Sequence, residues 1–340
     1  MNRPMRDMFV EHLSGRLSPE LTKLLAAVDA EIGPQPDTTL LAPAEGRALA
    51  ARLNQRWNRD LPALASVGEI IVPANAVLAS ADCRVKVLVP PSARRGALIF
   101  VHGGGFAFCN PETHERCARV LALETGLPVL LPDYRLAPEH PFPAGLHDVI
   151  ACLGEVLEGK ILGTMAGMRP GPVLIAGDSA GANLALSAML FSQAAGRKPP
   201  DGALLFYGVY DADFETPSYR RFVDGPGLTT GRMQRYWDWY LTDKTARKAP
   251  LASPLHAGDE ALRALPPLFL LAAEVDPLLS DSLNLAARLR AVGRQTDVHL
   301  VEGVTHGFLQ MSIALGAARN ALKTAAEAAK TMIQDHDPRP

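Results

Sequence analysis

The sequence predicts an α/β fold, with a mostly parallel central sheet and helices on both of its faces. Three observations predict it. From about residue 69 onward, short β-branched or Leu-rich runs alternate with helical segments, as strands joined by crossover helices do. The 340 residues are enough to bury a sizeable core as one large domain or two modest ones. Hydrophobic residues make up 48% and charged residues 21%, which excludes disordered, collagen-like and coiled-coil chains.

The first 60 or so residues read as helical. Ser18 is placed to cap a helix with Pro19 at its first position, and Leu21, Leu24, Leu25, Val28 and Ile32 follow on one face. A second helix is expected from Ala44 to about Trp57. Strand-like runs then fall at Glu69–Val72, Val85–Val89, Ala97–His102, Pro128–Pro132, Pro172–Gly177, Gly202–Tyr207, Pro267–Ala273 and Thr296–Val301. Helices are expected over Glu112–Thr125, Ala144–Leu157, Ser179–Ala195, Ser280–Val292 and Gln310–Gln334. Residues 211–250 break the alternation with Pro, Gly, Thr and the cluster Tyr236-Trp237-Asp238-Trp239-Tyr240. They read either as a helical excursion packed on the core or, with residues 1–60, as a cap over an apolar cleft. The chain then divides into 1–60 (cap), 61–210 (core), 211–250 (cap insertion) and 251–340 (core). The final DHDPRP reads as a frayed tail.

The chemistry is carried by residues spread along the chain. Gly177-Asp178-Ser179-Ala180-Gly181 is a G-x-S-x-G pentapeptide. Such a pentapeptide arises by chance in roughly one chain in ten of this length and glycine content, so its context decides. It follows an apolar strand and opens a helix, as a nucleophile elbow requires. The turn lifts the serine hydroxyl clear of the sheet, beside free N–H groups at a helix N-terminus. His102-Gly103-Gly104-Gly105-Phe106 ends another apolar strand. Its glycines leave backbone N–H groups unshielded, as an oxyanion hole needs. A phosphate loop would want Lys-Ser or Lys-Thr after the glycines, and Phe106-Ala107-Phe108 offers neither.

Of nine histidines, His306 follows the last strand and falls at the sheet edge of the elbow. It is the expected general base. His299 lies within a strand and reads as packing, and His102 as shaping the glycine loop. His114, His140, His147 and His256 lie on segments with no matched partner. Asp276 follows the preceding strand and is the expected carboxylate, with Glu274 and Asp281 as competitors. Asp281 reads most simply as a helix N-terminal charge, and Asp178 as structural, facing away from the nucleophile. The order Ser179, Asp276, His306 is the Ser…Asp…His order of α/β-hydrolases.

Five segments together carry a resemblance: HGGGF at 102–106, YRLAPEHPFPA at 134–144, GDSAGAN at 177–183, EVDPLLSD at 274–281 and HGF at 306–308. In type and order they resemble the hormone-sensitive-lipase-like family of α/β-hydrolases, specifically its bacterial GDSAG-type carboxylesterases and acetyl esterases. The resemblance spans roughly residues 80–320; the first 60 residues match only loosely. It implies an α/β-hydrolase fold with a helical cap, and a serine carboxylesterase acting on short- to medium-chain acyl esters without a cofactor. Carried over, Ser179 is the nucleophile, Asp276 the triad acid and His306 the base. The N–H groups of Gly104, Gly105 and Ala180 form the oxyanion hole, with Gly103 adjacent, and the YRLAPE segment braces the loops around the site. Phe108, Phe214, Trp237 and Trp239 are candidates for the substrate pocket. The same triad could instead cleave an amide, carbamate or lactone. A non-hydrolytic small-molecule receptor on the same fold would lack a triad member.

The formal net charge of −2 and the lack of a basic block argue against nucleic acid as a partner. The N-terminal MNRPMRDMFVEHLSGRL has no apolar core or small-residue cleavage site, so no signal peptide is expected. No apolar run is long enough for a membrane span. Four cysteines without a CxxC pair favour a reducing, cytoplasmic setting. Cys109, near the glycine loop, reads as packing. No cluster has metal-ligand spacing, so no metal is expected. An exposed strand edge or the C-terminal helix could join two copies into a homodimer.

Overall fold

The computed structural model describes residues 10–161 and 167–334. The tail at 335–340 and the start of the N-terminal segment discussed above lie outside the described residues.

The described residues contain one sheet. Strand β1 (Ser66–Val72) pairs antiparallel with β2 (Cys83–Val89), and β2 pairs antiparallel with β4 (Val129–Pro132). The other strands are β3 (Ala97–Val101), β5 (Val173–Asp178), β6 (Gly202–Phe206), β7 (Leu268–Val275) and β8 (Val298–Thr305), and all their pairings are parallel. The spatial order is β1-β2-β4-β3-β5-β6-β7-β8. Strands β3 to β6 are buried along their whole length, which is why they read as continuous apolar runs. Each strand lies on an expected run.

The longer helices are α1 (Pro19–Ile32), α2 (Pro43–Asn54), α3 (Glu115–Thr125), α4 (Ala144–Leu157), α5 (Ala180–Ala194), α6 (Thr230–Tyr240), α7 (Leu279–Ala291) and α8 (Gly316–Gln334). Helices α4, α5 and α7 pack on one face of the sheet and α3 and α8 on the other, building two apolar layers. Ser18 caps α1 as expected, its Oγ accepting from Leu21 N at 3.2 Å. Two helix starts differ from expectation. The segment Pro111–His114 is a 3₁₀ turn closed by a capping box between Asn110 and Thr113. The C-terminal helix begins at Gly316, because Phe308–Ile313 forms a tighter 3₁₀ turn that drives Phe308 and Leu309 into the core.

This topology positions the site. From β3 the chain crosses to β4 on one side, then returns to β5 on the other. The crevice of an open parallel sheet lies at such a reversal, beyond the carboxyl ends of the strands. The glycine loop leaves β3 there and Ser179 leaves β5. The loops after β7 and β8 open at the same edge.

At β7 and β8 the register shifts between Ala273 and Val275, which face Val301 and Thr305. The extra residues on β8 bulge outward through Gly303, at φ +66°. Glu274 fills the bulge: its Oε2 accepts from Gly303 N at 2.7 Å. Its Oε1 accepts from Ser14 Oγ at 2.8 Å and Gly15 N at 2.9 Å. Burial favours the neutral acid, but these donors hold the Glu274 carboxyl below its ordinary range. The carboxylate thus ties the N-terminal segment to the sheet.

Candidate active site

Ser179 sits between β5 and α5 with φ 55° and ψ −121°, a conformation that non-glycine residues rarely adopt. The flanking glycines explain how so sharp a turn fits. A Cβ on Gly177 would lie 2.4 Å from the Gly181 backbone, and one on Gly181 would lie 2.0 Å from Val101 O. The tight turn aims the Ser179 hydroxyl at the loop after β8.

His306 Nε2 lies 2.9 Å from Ser179 Oγ, and His306 Nδ1 lies 2.7 Å from Asp276 Oδ2. Residues 127 and 30 positions apart therefore form one hydrogen-bonded line. Asp276 is fully buried, and its Oδ1 accepts from Leu278 N at 2.9 Å, which fixes the carboxylate plane. The ring of Tyr207 meets His306 edge-on, centroids 4.9 Å apart. The chain thus holds hydroxyl, imidazole and carboxylate at the separations that general-base activation of a nucleophile needs.

The glycine loop faces this line. Gly104 and Gly105 have φ +116° and +59°. A Cβ on Gly104 would lie 2.2 Å from Phe108 O, so the close turn requires glycine there. Gly104 O accepts from Ala107 N at 3.1 Å and Phe108 N at 2.9 Å, winding the loop into a compact turn. Ala180 is the first residue of α5, so its N–H precedes the helix's own ladder. Gly103 N–H is committed elsewhere, donating to Asp178 Oδ1 at 2.8 Å.

These observations decide the family. A model described as an alpha/beta hydrolase fold matches residues 98–310. The chain belongs to the α/β-hydrolase family. Its motifs place it in the hormone-sensitive-lipase-like group. It is 33% identical over 247 residues to carboxylesterase NlhH of Mycobacterium tuberculosis, covering 71% of this chain and 75% of that protein. Among solved structures it is similar to an ester-hydrolase from the metagenome of Lake Arreo, with TM-score 0.84 and 31% identity over 93% of this chain and 98% of the other. It is also similar to a hyperthermophilic esterase from the archaeon Pyrobaculum calidifontis, with TM-score 0.82 and 28% identity over 93% and 99% of the two chains.

In this α/β hydrolase the expected pocket residues separate. Phe108 is buried and stacks on Trp239 at 5.9 Å, with Tyr236 edge-on at 5.7 Å. Phe214 packs edge-on against Tyr219 at 5.4 Å and lines a cavity of about 800 Å³ with Asp211, Gln234 and His256. Trp237 corrects the expectation. It points into the core against Phe106 and Tyr240, with no exposed surface, because α6 turns that face inward. Tyr236, one residue earlier, holds the place over the glycine loop: its ring atoms lie 2.3 Å from where a Gly105 Cβ would be. Helical phase decides this, and the aromatic cluster alone could not show which face is buried.

Other polar residues also depart from their sequence reading. His114 has a partner, its Nε2 lying 3.2 Å from Asp178 Oδ1. His256 has one too, Nε2 to Asp211 Oδ1 at 3.0 Å. His299 is exposed on the edge strand β8, where alternation turns it outward, with its ring 6.0 Å from that of Phe269. Asp178 is structural, as read, and holds the glycine loop through Gly103. Burial would raise its pKa, but His114 and the Gly103 N–H keep the carboxyl below its ordinary range. His102 is fully buried and pushed down to about 3, so it is neutral; its Nδ1 donates to Gly103 O at 2.8 Å. Tyr134 of the YRLAPE segment donates its hydroxyl to His102 O at 2.8 Å. Burial pushes the Cys109 thiol up to about 12, which agrees with a packing role. Tyr207 was missed by sequence reasoning; its position immediately after β6 was the available signal.

Asp281 is more than a helix N-terminal charge. It is buried, and its Oδ2 accepts from Tyr210 N at 2.7 Å and Asp211 N at 3.2 Å. Burial, with Asp211 and Asp276 nearby, holds its pKa well above the ordinary value despite those donors. The folded group keeps its proton while the unfolded one ionises above about pH 4. Stability is therefore lost as pH rises from that point toward the folded pKa. Asp281→Asn keeps an acceptor oxygen and carries no charge. Thermal unfolding at pH 8 should show a higher Tm for Asp281→Asn than for wild type, with the gap shrinking toward pH 4.

Proposed function

We propose that the protein is a serine carboxylesterase that hydrolyses short- to medium-chain acyl esters through an acyl-enzyme. The observation that carries this reading is the continuous line Ser179 Oγ–His306–Asp276 beside the glycine loop. Ser179 Oγ attacks the ester carbonyl while His306 Nε2 takes its proton. Asp276 accepts the Nδ1 hydrogen bond, fixes the tautomer and stabilises the imidazolium. The carbonyl oxygen becomes an oxyanion held by the N–H groups of Gly104, Gly105 and Ala180. Loss of one such donor typically costs about 3–4 kcal/mol of barrier. As the tetrahedral intermediate collapses, His306 returns the proton to the leaving alkoxide, which departs as the alcohol. Water, activated by the same imidazole, then cleaves the acyl-serine and releases the carboxylic acid.

The N-terminal helices and the 211–250 insertion act in this reading as one cap. Asp37 pairs with Arg232, at 3.1 Å, and with Arg235 of α6, and Thr39 Oγ1 accepts from Arg235 Nε at 2.6 Å. These bonds join the two segments. The aromatic wall of Phe108, Tyr236 and Trp239 beside the glycine loop favours a small apolar acyl or alcohol group. A cytoplasmic setting agrees with the four free cysteines.

The test is a panel of p-nitrophenyl esters of increasing acyl length set against the matching anilides. Acetate to hexanoate should be turned over, with a length cut-off and anilides far slower. Anilides hydrolysed as fast as esters, or no ester turned over at all, would overturn the reading.

A further inference from the structure

We propose that Arg47, on α2 of the N-terminal segment, is a positioning residue for the oxyanion hole. Its guanidinium spans the back of the glycine loop. Nε donates to Ala107 O at 2.7 Å and Nη2 to Ala137 O at 2.8 Å. Nη1 donates to Glu139 Oε1 at 3.0 Å, and Nη2 also reaches Glu139 Oε2. The two carbonyls belong to the two segments that must stay in register, because Ala137 N donates to Phe106 O at 2.9 Å. One planar fork thus pins the loop to the YRLAPE segment, which a lysine ammonium cannot do with the same geometry.

The loop needs such a pin. Phe106 and Cys109 have φ of +62° and +70° without being glycine. Such conformations persist only where the surroundings over-determine them. Asp178 fixes the loop at Gly103 and Ala137 at Phe106; Arg47 fixes it at Ala107, just beyond the Gly104 and Gly105 amides. Helix α2 also abuts the loop directly, since a Cβ on Gly46 would lie 3.1 Å from the Phe108 ring. The N-terminal segment therefore supports the rate of the chemical step as well as enclosing substrate.

This rests on the esterase reading. The experiment compares wild type, Arg47→Gln, Arg47→Lys and Glu139→Gln. It measures kcat and KM on p-nitrophenyl butyrate, inhibition by a trifluoromethyl ketone, and Tm. A misplaced loop loses the oxyanion without losing substrate. Arg47→Gln should lower kcat by about 10- to 100-fold and weaken the ketone by a similar factor, with KM within about twofold. Arg47→Lys should recover part of kcat. Glu139→Gln, which leaves both carbonyl bonds in place, should stay within about threefold of wild type. If Arg47→Gln fails to fold, the kcat of Arg47→Lys decides alone. An unchanged kcat, or a rise confined to KM, overturns the role of Arg47. Wild type that neither turns over the ester nor binds the ketone overturns the esterase reading instead.

Discussion

Ser179→Ala should lower kcat for p-nitrophenyl acetate by about 10⁶-fold, leaving only what the oxyanion donors and binding supply. The thiol beside the glycine loop, Cys109, is held protonated, its pKa pushed up to about 12 by burial, so it is a poor substitute. Removing one oxygen from a residue already fixed by the elbow leaves the fold intact, so Tm should change little. Stopped-flow absorbance at 405 nm on wild type and Ser179→Ala checks both the burst and the steady state. Near-wild-type turnover in Ser179→Ala would mean that some other atom attacks the ester.

Asp276→Asn should lower kcat by about 10⁴-fold with the fold retained. The amide can present its N–H₂ to His306 Nδ1, which then becomes an acceptor. Nε2 then carries the proton and faces Ser179 with no free lone pair. The competing carboxylate supplies the contrast. Glu274 already receives Ser14, Gly15 and Gly303, so Glu274→Gln should keep most of kcat and lose stability. The sign follows from its lowered pKa. Its contribution is present above the ordinary glutamate range and is lost as pH falls through the folded value. Glu274→Gln should therefore be less stable than wild type at pH 7 and show a flatter acid limb. A larger loss of kcat in Glu274→Gln than in Asp276→Asn would exchange the two roles.

Much of this was legible in the chain. The inner strands β3 to β6 were visible because strands buried along their whole length are apolar without interruption. Ser179, His306 and Asp276 were visible because each follows a strand end, and a parallel sheet brings all such ends to one edge. What stayed hidden depends on long-range contact. Nothing local indicates that Glu274 closes a bulge at Gly303 and holds Ser14, 260 residues away. The pairing of His114 with Asp178 spans 64 residues. The inward turn of Trp237 depends on the helical phase of α6. Arg47 reads as one basic residue on an ordinary helix until α2 is placed against Ala107 and Ala137.

The most direct measurement is the site of a fluorophosphonate adduct. The probe needs an activated nucleophile and an oxyanion hole together. Peptide mass spectrometry of labelled wild type should find one adduct, on Ser179, and His306→Ala should slow its formation by several orders of magnitude. An adduct on another residue, or none while esters are still hydrolysed, would contradict the convergence of Ser179, His306 and Asp276 as the working centre.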